Sequence, residues 1–113
     1  MADYYWVGGT GNWNTTETAH ISTSSGGAGG SGPVTSADNL TFDTNSNVAG
    51  SGASYTVTTT VTAPVVNNLT VGNPSAGVVT LAGGSTVNIY GSLSVASGVV
   101  WTQSNGLAFK ATG

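Results

Sequence analysis

Few side chains in this sequence could do chemistry, and their spacing tests each option quickly. His20 is the sole histidine. As a general base it would need an orienting carboxylate, and Glu17, three positions earlier, is the nearest acid. Serine is abundant throughout and singles out no Ser-His-Asp arrangement, so we read His20 as a surface-loop residue. Asp38 and Asp43 flank Leu40-Thr-Phe42 and could together hold a Ca²⁺. They lack the Asp/Asn/Gly spacing of a calcium loop. We read them as capping and turn-forming residues, with Asp38 accepting from backbone N–H groups where a strand begins. A glycosidase-type acid pair has little to draw on, with four acids in all and none in the repeats described below. No catalytic residue, cofactor or metal is expected.

Gly8-Gly-Thr-Gly11 is similar to a phosphate-cradling loop. It has no following Lys and no helix to offer a positive dipole end, so it reads instead as a turn or bulge between two short extended pieces. Asn14-Thr-Thr16, Asn39-Leu-Thr41 and Asn68-Leu-Thr70 fit the glycosylation pattern, but no secretory signal precedes them. One candidate binding feature is left. Tyr4, Tyr5, Trp6 and Trp13 gather four of the nine aromatic residues at the start of the chain. Exposed, they would dock on a partner protein or stack on a sugar ring; buried, they would cap the first layer of a core.

The elements that must position these residues are β-strands. From Thr44 to Ala108 the sequence carries no charge, and short apolar-polar-apolar triplets recur between Gly, Ser, Asn and Thr. They are Tyr55-Thr-Val57, Leu69-Thr-Val71, Val87-Asn-Ile89, Leu93-Ser-Val95 and Leu107-Ala-Phe109, with Leu40-Thr-Phe42 earlier. Alternation of this kind marks half-buried strands. Composition agrees. Only 4% of residues are charged, against about 25% in an ordinary domain, and Thr and Val replace the usual helix formers. The fold class expected is all-β.

The triplets repeat at drifting offsets. Asn68–Val71 matches Ser92–Val95 at 24, Gly77–Val79 matches Gly98–Val100 at 21, and Val87–Ile89 matches Leu107–Phe109 at 20. Turn chemistry lies between them at Gly72-Asn-Pro74, Gly83-Gly84, Ala96-Ser-Gly98 and Ser104-Asn-Gly106. Such offsets suit a β-solenoid, a single-stranded β-helix-like stack whose coils share strands but differ in their turns, with an N-terminal aromatic cap. A small β-sandwich is the alternative. Two parts are expected: residues 1–33 as an aromatic and Gly-rich cap or attachment segment, with a flexible surface loop at 22–32, and residues 34–113 as the stack. Leu107–Phe109 reads as a strand in mid-stack, so a partner or further chain is expected to cover that end.

The 113 residues suffice for one modest core, without a cysteine to staple it. The net charge is −3 and Lys110 is the one basic residue, which argues against nucleic acid as a partner. No run approaches a membrane span, and the start lacks the pattern of an export signal.

The opening Tyr5-Trp-Val-Gly-Gly-Thr-Gly-Asn-Trp13, with Thr18-Ala-His20, Ser24–Gly27, Pro33–Ser46, Val66–Val71 and Val87–Leu93, resembles a known class. The chain is similar to the Gly/Thr-rich β-helical repeat proteins of bacteriophage virions and some bacterial surface proteins. That resemblance implies a non-enzymatic structural role as a fibre, spike or decoration of a phage head or tail. It implies a homotrimer held with other virion proteins, made in the host cytoplasm and resident in the virion. A carbohydrate-binding adhesin module that recognises a host surface glycan is the alternative reading.

Overall fold

A computed structural model describes residues 2–43, 45–46, 54–60, 62–72, 79–96, 100–101 and 107–109. The described residues are all-β, without a helix, as the composition predicts. The chain forms β1 (Asp3–Trp6), β2 (Gly11–Trp13), β3 (Ile21–Ser22), β4 (Asn39–Phe42), β5 (Tyr55–Thr59) and β6 (Val65–Val66). It continues through β7 (Leu69–Val71), β8 (Val79–Gly83), β9 (Val87–Ile89), β10 (Leu93–Val95), β11 (Val100–Trp101) and β12 (Leu107–Phe109).

These strands make three sheets, ordered β10-β7-β4-β1-β3, β11-β8-β5-β2 and β12-β9-β6. From β4 onward the chain visits the first, second and third sheets in turn, three times over. Every pairing among the described residues is parallel except that of β1 with β3. Parallel strands need a long crossover, and here the intervening path through the other two sheets supplies it.

Register follows the repeats. Leu93 lies beside Leu69, an offset of 24, and Leu107 beside Val87, an offset of 20, both as the triplets predict. The Gly98–Val100 match is off by one: Val100 pairs with Thr80, not Val79, and Trp101 lies beside Leu81. A slip of one residue reverses the face each side chain takes. Val100 accordingly stands 41% exposed on the outer face, where the sequence match had placed it with buried Val79.

Alternation makes the core. Tyr55, Val57 and Thr59 point inward while Thr56 and Thr58 stay half-exposed; Leu69 and Val71 are buried with Thr70 between them exposed. Leu93-Ser-Val95 departs from this, with Val95 41% exposed; among the described residues β10 pairs with β7 alone. The buried residues Leu40, Phe42, Val57, Val66, Leu69, Val71, Val79, Leu81, Val87 and Ile89 form one cluster with the N-terminal aromatics. Each fully buried aliphatic side chain contributes about 1.5–3 kcal/mol against leaving it in water.

The expected cap and the expected stack share sheets. β1 pairs with β4 and β2 with β5, so residues on both sides of position 33 line one core. The 22–32 segment lies mostly on the surface but is tied down. Ser31 N–H donates to Ile21 O at 2.9 Å, Gly30 N–H to Thr18 O at 2.7 Å, and the Ser25 hydroxyl to Asp43 Oδ2 at 2.7 Å. Of the expected turns, Gly83-Gly84 lies in and just after β8, with Gly83 at a φ of 107°. Gly72-Asn-Pro74 and Ala96-Ser-Gly98 lie partly, and Ser104-Asn-Gly106 wholly, outside the described residues.

Candidate functional site

The N-terminal aromatics converge, but inward. Trp6 is fully buried and Trp13 is 1% exposed. Phe42 joins them: its ring stacks on Trp6 at 5.3 Å between centroids and meets Trp13 edge-on at 6.0 Å. The Trp6 indole N–H donates to Gly9 O at 2.7 Å, which satisfies its one polar atom inside the core. Glycine makes that geometry accessible, since Gly8 and Gly9 both take positive φ, 82° and 73°. Tyr4 packs partly buried against the core, while Tyr5, on the alternate face opposite Thr41, is half-exposed. The sugar-stacking reading of Trp6 and Trp13 is therefore corrected: neither offers a face to a ligand. Tyr5 is the member of the four left on the outer surface.

His20 is also not a plain surface-loop residue. Its ring stacks on Trp6 at 4.9 Å and 10° between planes, and its Nδ1 lies 2.8 Å from Glu17 Oε2. The same carboxylate oxygen accepts the His20 backbone N–H at 2.9 Å. Gly8 and Gly11 leave room for the ring: a Cβ at Gly11 would sit 2.7 Å from Nε2. The Glu17–His20 pair with glycines at 8 and 11 was the available signal, but nothing in their spacing names Trp6 as the partner. Chemically the arrangement is an oriented imidazole over an indole, with an acid at one nitrogen and no hydroxyl nucleophile bonded to it among the described residues.

The two aspartates do local work, as expected. Asp38 accepts from Ala2 N–H at 2.9 Å through one oxygen, and from Thr35 N–H at 3.0 Å and Thr35 Oγ1 at 2.8 Å through the other. Partial desolvation would raise its pKa, but these hydrogen bonds outweigh it and hold the carboxyl below the usual value. Asp43 accepts from Asn45 N–H at 2.9 Å, and its own N–H donates to the Ser46 hydroxyl at 2.8 Å.

A column of polar side chains runs across the first sheet where its strands begin. Asn39 Nδ2 donates to Asp3 Oδ1 at 2.7 Å, and Asn39 Oδ1 accepts Asn68 N–H at 3.1 Å and Asn67 Nδ2 at 3.2 Å. Asn68 Oδ1 then accepts both Ser92 N–H at 2.8 Å and Ser92 Oγ at 3.0 Å. Each amide thus reads the strand beside it, and two of the three glycosylation-pattern asparagines are held in this way.

Tyr55 is the buried group with no obvious task. It is 3% exposed and its hydroxyl makes no hydrogen bond, although Ser46 and Asp43 lie close enough to influence it. Burial first, and Asp43's charge second, push its pKa up to about 12 despite Ser46.

No group of three or more metal-ligating side chains and no concave pocket occurs among the described residues. Among the described residues no helix is long and apolar enough to cross a membrane. No family model matches the chain, and neither a curated protein nor a solved structure matches it.

Proposed function

We propose that this chain is a structural module, a β-solenoid stack serving as a fibre or decoration subunit of a bacteriophage head or tail. One observation carries the reading. Three parallel ladders are visited in rotation, at offsets of 20 to 29 residues between successive strands from β4 onward. Rungs built this way bury themselves by piling up, and antiparallel sandwich strands would not pair so. The polar column at Asn39, Asn68 and Ser92 supports it, because a ladder of side chains pays off only between adjacent rungs.

The attachment role falls to the N-terminal segment, which carries half-exposed Tyr5 and two of the four acids, Asp3 and Glu17. The partners are copies of the chain and other virion proteins, and its place is the assembled particle. The adhesin alternative loses its two best sugar platforms with Trp6 and Trp13 in the core. Imaging the native particle with this chain labelled is the test. Label at regular positions on the head or tail is the expected result; label absent from the particle would end the proposal.

A further inference from the structure

Of the Asn-X-Thr triplets at Asn14, Asn39 and Asn68, the fold treats one differently. Asn39-Leu-Thr41 and Asn68-Leu-Thr70 are built into the first sheet, where β4 lies between β1 and β7, and β7 between β4 and β10. Their middle residues, Leu40 and Leu69, are buried in the core. Extended backbone keeps the first and third residues of such a triplet about 7 Å apart along one face. Their carboxamides are already engaged, since Asn39 Nδ2 donates to Asp3 and Asn68 Oδ1 accepts from Ser92. An enzyme that must draw the triplet into its own cleft would have to open the sheet.

Asn14-Thr-Thr16 lies outside the ladders. It follows β2 directly, in a turn that Glu17 N–H closes by donating to Asn14 O at 3.4 Å. Asn14 and Thr15 are half-exposed and Thr16 is exposed. Thr15 anchors the turn: its N–H donates to Thr62 Oγ1 at 3.1 Å, and the two hydroxyl oxygens are 2.7 Å apart. Asn14 Oδ1 accepts both the Thr16 N–H and the Thr16 hydroxyl at 2.9 Å. This bent form brings the hydroxyl onto the carboxamide, which the strand triplets cannot do. Two donors on Oδ1 also favour the charge that this oxygen takes when Nδ2 loses a proton. Nδ2 itself has no hydrogen-bond partner among the described residues.

We infer that Asn14 is a glycosyl acceptor, the triplet of the three that the folded chain presents to an N-glycosyltransferase, with a nucleotide-activated hexose as donor. Nδ2 attacks the anomeric carbon, and a C–N bond forms as the C–O bond to the diphosphate breaks. The nucleoside diphosphate leaves with that electron pair, and the Nδ2 proton passes to solvent. Nucleotide sugars are made in the cytoplasm, so this chemistry requires no export signal. The inference goes beyond the structural role proposed above and does not depend on it.

The folded 113-residue chain tests it, incubated with a purified asparagine glycosyltransferase of Asn-X-Ser/Thr specificity and UDP-glucose. Intact mass and peptide mapping read the product. One hexose is expected on Asn14, added at least tenfold faster than on Asn39 or Asn68. Asn14→Gln and Thr16→Ala lose that addition and Thr16→Ser keeps it, each with the circular dichroism of the parent. Mapping of the parent chain decides the matter even where a variant fails to fold. A chain left unmodified overturns the inference. So does hexose spread evenly over the three asparagines, or addition at Asn14 that persists in Thr16→Ala.

Discussion

A carboxylate that accepts three hydrogen bonds is worth most when ionised, and Asp38 ties the second residue of the chain to the entry of β4. Its folded-state pKa lies below its ordinary value of 3.8. The unfolded chain therefore takes up the proton first as pH falls. The stabilisation is complete above the unfolded value and disappears as pH drops through the folded one. Asp38→Ala should cost about 1.5–3 kcal/mol at neutral pH, the worth of hydrogen bonds to a charged group. Urea midpoints at pH 7 and below pH 3 check this: the gap between parent and variant narrows in acid. Tyr55 predicts the reverse sign. Its hydroxyl is buried unbonded, so Tyr55→Phe should leave the protein as stable or raise stability by about 1 kcal/mol. Because its pKa is pushed from 10.0 to about 12, the parent loses stability as pH rises through that window, and Tyr55→Phe removes that loss. An absorbance titration of the phenols, with one late-ionising group missing in the variant, reads it directly. His20 and Trp6 form the third residue-scale case. Their stack should show a coupling of about 0.5–1.5 kcal/mol in a double-mutant cycle of His20→Ala with Trp6→Leu.

At the scale of the strand, period-two alternation in the sequence already marks which side chains face the core. Tyr55-Thr-Val57, Leu69-Thr-Val71 and Val87-Asn-Ile89 all bury their outer pair, because a pleated strand with one dry face permits nothing else. Matching by residue identity failed where identity and face disagree. Val-Val at 99–100 looked like Val-Val at 78–79, yet Val100 pairs with Thr80 and stands on the outer face. The site was less legible. Composition gathers Tyr4, Tyr5, Trp6 and Trp13 at one end but cannot say that Phe42 and His20 come to them across the fold. Close approaches between strands were equally hidden. Gly83 takes a φ of 107° opposite Thr59, and a Cβ there would run into the Thr59 backbone. Gly83→Ala should then destabilise by more than about 1 kcal/mol, where a glycine free to accept a side chain would gain stability instead. Thermal melting of the single variant distinguishes the two.

Across the described residues, stability is shared between neighbouring strands. Long-range pairing dominates: β1 is joined to β4 at an offset of 36 residues and β2 to β5 at 46. The aromatic end therefore cannot be a detachable appendage. Trp6 and Trp13 close the core over Phe42, and without them β4 and β5 would present Leu40, Phe42, Val57 and Thr59 to water on a bare edge. Removing residues 1–33 should leave a chain that aggregates or stays unfolded, because it uncovers a hydrophobic layer and two parallel edges at once. The opposite end behaves differently. Removing residues from 97 onward deletes β11 and β12, each joined to one strand among the described residues, and should leave the inner strands folded with a lower melting temperature. Circular dichroism and amide exchange on the two truncations decide the matter. If the 34–113 fragment folded alone with native exchange protection in β4 and β5, the aromatics would be a separable attachment and not the lid of a shared core.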